Sequence, residues 1–168
     1  MTASHPVKTC LWFDTQALDA ARLYTSLVPG GELGSISHYG PENEHGATGS
    51  VLQVEFRLGT QQFVALNGGP HFTHSPAASI QVYCPDQAEV DRIWDGLIAG
   101  GGEESMCGWL VDRFGLSWQI IPTRLAELAS DPDPERASRA IAAMLQMRKL
   151  DIAALEAAAD GAADGAGN

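Results

Sequence analysis

Apolar and polar positions repeat along this chain with two different periods, and the switches between them mark its elements. Val7 to Phe13 is apolar and rich in β-favouring residues, which predicts a strand. Asp14 or Thr15 can then cap a helix whose apolar stripe is Ala17, Ala21, Tyr24, Leu27 and Val28. Pro29-Gly30-Gly31 stops that helix. Leu33 to Tyr39 reads as a weak strand, and the polar run Gly40 to Ala47 as a mobile loop. Ser50 to Leu58 alternates in the manner of a half-buried strand, Gly59-Thr60 turns the chain, and Gln62 to Asn67 is the next strand. A turn-rich loop, Gly68 to Ala77, follows.

The same order then returns. Ala78 to Tyr83 predicts a strand, and Asp86 with Glu89 forms a capping box. The helix that follows carries Val90, Ile93, Trp94, Leu97 and Ile98, and Gly100-Gly101-Gly102 ends it. Two strands fit Glu104 to Asp112 and Leu116 to Ile121. Beyond Pro122 the pattern becomes helical. Asp133 is a candidate N-cap, Pro134 suits a first turn, and the helix should run to about Lys149. Asp151 can cap a last short helix, and residues 160–168 read as a frayed tail.

An offset of 70 residues superposes the two halves without a gap: Thr9 on Ser79, Phe13 on Tyr83, Tyr24 on Trp94, Leu27 on Leu97, and Gly30-Gly31 on Gly100-Gly101. The simplest architecture is α+β, a duplicated βαβββ module with C-terminal helices, because one such module alone leaves a sheet face bare. One domain then spans residues 1–160, with module one at about 7–70, module two at about 77–122 and the helices at about 123–159.

Composition narrows the function. The 168 residues carry 10 Lys and Arg against 21 Asp and Glu, a formal charge of −11. That balance disfavours nucleic acid and anionic membranes as partners. No stretch approaches the roughly 20 apolar residues that span a bilayer, and Met1 to Lys8 has no apolar signal core. Three widely spaced cysteines, Cys10, Cys84 and Cys107, fit reduced thiols in the cytoplasm. Four of the acids fall in the last 18 residues, so the charge reads mainly as solubility on loops and tail.

Several longer stretches carry a family likeness. Cys10-Leu-Trp-Phe-Asp14 with Ala20-Ala-Arg-Leu-Tyr24, Ala65-Leu-Asn-Gly-Gly-Pro-His-Phe72, Cys107-Gly-Trp-Leu-Val-Asp112 and Phe114-Gly-Leu-Ser-Trp-Gln-Ile-Ile-Pro122 resemble the PhnB-like, glyoxalase-related family of the vicinal oxygen chelate superfamily. So do Asp131-Pro-Asp-Pro-Glu135, Ala143-Met-Leu-Gln-Met147 and Asp151-Ile-Ala-Ala-Leu-Glu156. The resemblance covers about residues 7 to 157 and implies the glyoxalase/bleomycin-resistance/dioxygenase fold, a cup between modules, and commonly a homodimer. This family often carries the name demethylubiquinone methyltransferase, but the chain has no Gly-rich strand-to-helix loop for a nucleoside, and Gly100 to Gly102 closes a helix instead of opening one.

The resemblance also implies where a metal would sit. Metal-dependent members of the superfamily place a His on the first strand of a module and a Glu on its last. Counting back from the aromatic of each helix puts the first-strand position at Thr9 and Ser79, and the last-strand position of module two at Gln119. These are poor ligands, so no built-in metal is expected. A weakly held divalent ion, in a glyoxalase-like lyase, isomerase or dioxygenase, is the alternative. His71 and His74 share a loop and read as solvated imidazoles.

A small molecule bound in an apolar cup remains as the leading function, with Trp12, Trp109 and Trp118 as candidate walls and Asn67, Ser79, Gln81 and Gln119 as polar points. Each Trp has a core reading beside this one, and Asn67 a turn reading. Cys107 is a further candidate, with an inert buried thiol as its plainer reading. Asp112 with Arg113 and Arg57 could supply an acid-base or anion-binding pair, with an exposed hairpin charge as the alternative. The C-terminal helix should dock on its own domain or, by preference, on a second subunit.

Overall fold

The computed structural model describes residues 7–43 and 45–161. The frayed tail expected over 160–168 therefore lies outside the described residues from position 162 onward. The chain divides into two compact units, the first ending at His74 and the second beginning at Ser75.

In unit 1 the order is β1 (Thr9–Phe13), α1 (Ala17–Leu27), β2 (Glu32–His38), β3 (Val51–Leu58) and β4 (Gln61–Asn67). The sheet runs β1-β4-β3-β2, with β1 parallel to β4 and the other pairs antiparallel. One face is apolar and packs on α1. Leu11, Phe13, Val54, Phe56, Phe63 and Ala65 lie on it, buried with Ala17, Ala20, Ala21 and Tyr24 of the helix. Phe56 and Phe63 stack with centroids 5.1 Å apart. Cys10, Trp12, Gln53, Glu55, Val64 and Leu66 occupy the opposite, open face, as alternation along each strand requires.

Unit 2 repeats the plan with β5 (Ser79–Cys84), α2 (Gln87–Ile98), β6 (Glu103–Glu104), β7 (Trp109–Val111) and β8 (Ser117–Pro122), in sheet order β5-β8-β7-β6. Val82, Cys84, Leu110, Trp118 and Ile120 bury one face, and α2 supplies Val90, Ile93, Trp94 and Leu97. The capping box expected at α2 is present: the Asp86 side chain accepts from the Glu89 amide at 2.9 Å.

Three differences from the sequence reading have physical causes. The single strand expected over Glu104 to Asp112 is instead two strands, β6 and β7, paired antiparallel. The chain reverses at Ser105 to Gly108, where Cys107 and Gly108 both take left-handed backbone angles (φ 61° and 79°). A side chain at Gly108 would place its Cβ 2.9 Å from the Ile120 carbonyl, so only glycine fits there. The repeat is also not gapless. Burial aligns Leu11 and Phe13 with Val82 and Cys84, 71 residues on, whereas Tyr24 and Trp94 keep the offset of 70. The extra residue lies between strand and helix, where Asp14 to Gln16 join β1 to α1 but only Pro85 and Asp86 join β5 to α2. Finally, the long helix expected to reach Lys149 stops at Met144.

The C-terminal segment forms α3 (Thr123–Ala129), α4 (Pro134–Met144) and α5 (Ile152–Ala159). Asp133 and Asp151 cap α4 and α5 by accepting from Glu135 and Ala154 amides at 2.9 and 2.8 Å. The three helices share a core of Leu125, Leu128, Ala140, Leu150, Leu155 and Ala159. α4 therefore docks within its own unit, which corrects the preference for a second subunit as the surface it covers. The Cys107 and Gly108 amides donate to Met147 and Arg148 carbonyls at 2.7 and 2.8 Å, tying the β6–β7 loop to the α4–α5 connection.

Candidate functional site

The open face of the unit 2 sheet gathers four of the residues singled out from sequence. Gln81, Gln119 and Trp109 lie abreast on β5, β8 and β7, because Gln119 is in register with both others. Their neighbours along β5 on the same face are Ser79 and Tyr83. A chain of hydrogen bonds links the row. The Tyr83 hydroxyl donates to Gln81 Oε1 at 3.2 Å, Gln81 Nε2 to Gln119 Oε1 at 3.0 Å, and Gln119 Nε2 to Ser79 Oγ at 2.8 Å. Gln81 and Tyr83 are exposed, and Gln119 and Trp109 half-buried. Ser117, next on this face, is buried, and its Oγ has no hydrogen-bond partner among the described residues. Tyr83 was absent from the sequence-based set, although the alternation that selects Gln81 selects it too.

The remaining candidates in unit 2 have other roles. Trp118 is fully buried on the α2 side of the sheet and belongs to the core. Its Nε1 donates to Asp112 Oδ2 at 2.9 Å. Asp112 is buried, and its other oxygen accepts from the Phe114 and Leu116 amides at 2.8 and 3.1 Å. It is thus a turn anchor, neither an exposed hairpin charge nor a partner of Arg57, which pairs with Glu32 at 2.6 Å. Cys107 is half-buried in the β6–β7 turn. Burial pushes the Cys84 thiol up from 9.0 to about 11 and raises that of Cys10 as well, so neither is primed as a nucleophile.

In unit 1, Trp12 lies on the open face and donates from Nε1 to the Gly69 carbonyl at 2.8 Å. With Leu52, Leu66, Gly68 and His71 it lines an apolar cavity of about 280 Å³. Asn67 lines this cavity too, but its side-chain amide is spent on backbone groups. Its Oδ1 accepts from the Ala17 amide at 2.8 Å and its Nδ2 donates to the Val51 carbonyl at 3.0 Å. It caps α1 from a strand 50 residues away, which corrects both the turn reading and the expectation that Asp14 or Thr15 would cap. His74 packs edge-on against Phe13, centroids 5.1 Å apart, instead of standing in solvent.

Thr9 does not share the face of Ser79. It is in register with Phe63 on the α1 side and accepts from Gln61 Nε2 at 3.2 Å. The one-residue slip puts Cys10 on the open face opposite Val64. Lys8 holds Glu55 there at 2.5 Å, and this contact keeps the Glu55 carboxyl below its usual range. The open-face strand positions named above thus offer a lysine, the carboxylate it holds, a thiol, a valine, hydroxyls and amides. One carboxylate already paired with Lys8 and one thiol are too few for a divalent cation, which takes several imidazole, carboxylate or thiolate ligands converging on one point. Among the described residues, no three of His, Cys, Asp and Glu gather into a group that could hold a metal. The connections from β1 to α1 (Asp14 to Gln16) and from β5 to α2 (Pro85-Asp86) contain no glycine.

Two βαβββ sheets of this order define the vicinal oxygen chelate fold. Within that superfamily the chain belongs to the PhnB-like family, whose model, described as 3-demethylubiquinone-9 3-methyltransferase, matches residues 5–121. A solved PhnB protein from Bacillus cereus, described with the same methyltransferase name, is 33% identical with a TM-score of 0.64, over 71% of this chain and 100% of that one. Protein PA1353 from Pseudomonas aeruginosa (21% identity, TM-score 0.58, 71% and 98% covered) shares the fold. So does a structure of FosX, the fosfomycin resistance protein from Listeria monocytogenes (12% identity, TM-score 0.50, 71% and 93% covered). No curated protein gives a significant sequence match. No helix among the described residues is long and apolar enough to cross a membrane.

Proposed function

We propose that this protein binds an uncharged small molecule on the open face of the unit 2 sheet, without a resident metal. The Tyr83–Gln81–Gln119–Ser79 hydrogen-bond row supports this reading. Side-chain amides and hydroxyls both donate and accept, so they suit a ligand with carbonyl, amide or hydroxyl groups. Trp109 beside Gln119 adds an apolar wall, the usual complement to a few fixed polar groups. The orphaned Ser117 hydroxyl supplies one further point to be satisfied by ligand or water.

Purified protein, denatured and extracted, should release one small molecule near stoichiometry that is lost from Gln81→Ala and Gln119→Ala. A stoichiometric Zn, Ni, Mn or Fe, lost with the same substitutions, would overturn the metal-free reading and favour a glyoxalase-like enzyme. The protein works as a homodimer in the cytoplasm on this reading, where its three free thiols stay reduced. Light scattering at working concentration checks the dimer, and a monomeric mass would remove it.

A further inference from the structure

The apolar cavity beside Trp12 belongs wholly to unit 1, and no residue of the hydrogen-bonded row in unit 2 lines it. Its volume is about 280 Å³. An apolar cavity of about 150 Å³ takes one benzene ring, so this one has room for two fused rings. Trp12 and Leu66, register partners on β1 and β4, line it together with Leu52 and Tyr39.

Both aromatic rings are fixed by the fold. Trp12 is held at Nε1 by the Gly69 carbonyl and on its edge by Phe72, with ring centroids 5.0 Å apart. Gly68 lies against its six-membered ring, where a Cβ would collide with Cζ2. Gly46 lies against the Tyr39 ring in the same way, and the Tyr39 hydroxyl donates to the Asn67 carbonyl. Rings needed only as core pack against other side chains at crystal density. These two are each clamped by a glycine and a hydrogen bond and still border an open volume, which is the preorganisation a binding site uses.

The chemistry of the lining selects the ligand. The polar side-chain atoms of Trp12, Tyr39 and Asn67 are all engaged with backbone groups, so these walls present ring faces and carbon. His45 and His71 also line the cavity, and among the described residues neither imidazole has a hydrogen-bond partner. A neutral imidazole offers one donor and one acceptor. No lysine, arginine or carboxylate is among the described lining residues, so a charged ligand would lose its water without gaining a countercharge.

We infer that this cavity binds an uncharged fused-ring aromatic molecule, with its faces against Trp12 and Leu66 and a hydrogen-bonding edge toward His71. 3-Ethylindole, indole-3-acetate and tryptamine share one ring system and differ in the charge of a short arm, and cyclooctanol is an aliphatic of similar bulk. Each is titrated into isotope-labelled protein and followed through the Leu52 and Leu66 methyl signals and the Trp12 indole N–H. 3-Ethylindole should move these signals and bind at least ten-fold more tightly than the other three probes. Leu52→Phe, which fills the cavity, should abolish the shifts. His71→Ala, at an exposed side chain, should weaken binding at least three-fold while the rest of the spectrum stays native. Unmoved signals, equal or tighter binding of a charged analogue or of cyclooctanol, or undiminished binding in either variant would each overturn the site.

Discussion

Asp112 shows how much a single buried carboxylate can organise. Its two oxygens serve two backbone amides and the indole of Trp118, so Asp112→Ala strands three donors in the interior. Each unsatisfied buried group costs about 1–3 kcal/mol, and partial access of water should hold the total to about 3 kcal/mol. Urea unfolding should show that loss, and a change below about 1 kcal/mol would remove the anchoring role. Cys84 gives a second residue-scale test. Its folded thiol titrates near 11 against an ordinary 9.0, so the fold favours the protonated form. The stability it contributes is full below about pH 9 and is lost as pH rises through about 11. Wild-type protein should therefore lose stability between pH 9 and 11 more steeply than Cys84→Ala, and parallel curves would contradict this. Neither role was legible in the sequence. Asp112 beside Arg113 in a turn looks like surface charge until the indole six residues on is seen to point back at it.

At the scale of elements, legibility followed the range of the interactions. The stripes of α1 and α2, the capping box of Asp86 and the caps at Asp133 and Asp151 all act within one or two turns, and the pattern of residues shows them directly. The break between β6 and β7 was hidden because Cys107, a residue without glycine's freedom, takes a left-handed angle that only tertiary contacts with Met147 and Arg148 explain. The slip of one residue between strand and helix was hidden for a similar reason. Aromatic matches in the helices fix one offset, and burial in the strands fixes another. That slip decides the candidate site, since it moves Thr9 off the open face while leaving Ser79, Gln81 and Gln119 together. The cap of α1 was hidden because Asn67 is 50 residues from the amide it serves. Losing this buried cap should cost more than losing an exposed one. Asn67→Ala should destabilise by about 2 kcal/mol and Asp86→Ala by about 1 kcal/mol. Equal losses in thermal unfolding would mean that Asn67 is not the effective cap.

The acidic balance of the whole chain has two opposed consequences as pH falls. At neutral pH the charge of −11 is a source of self-repulsion, which protonation relieves. Against this, specific carboxylates are held below their usual range by partners in the fold. Glu55 is held by Lys8, Glu89 by Arg92, Asp91 by Gln87 and Lys149, and Asp131 by the Asp133 amide and Arg136. A depressed carboxylate contributes stability that is present above its unfolded value and lost as pH falls through its folded one. These groups are exposed and screened, so each contributes little, and the relief of repulsion comes first because ordinary carboxylates titrate before the depressed ones. The melting temperature should accordingly hold or rise slightly from pH 7 to about 5, then drop steeply below about pH 4. Arg136→Gln removes the partner of both Asp131 and Asp160, and should lower the melting temperature at pH 7 while shrinking the acid-side drop. Added salt should flatten the rise between pH 7 and 5 by screening repulsion that is already long-ranged. A melting temperature that falls steadily from pH 7, insensitive to salt, would mean that the paired carboxylates outweigh the global charge.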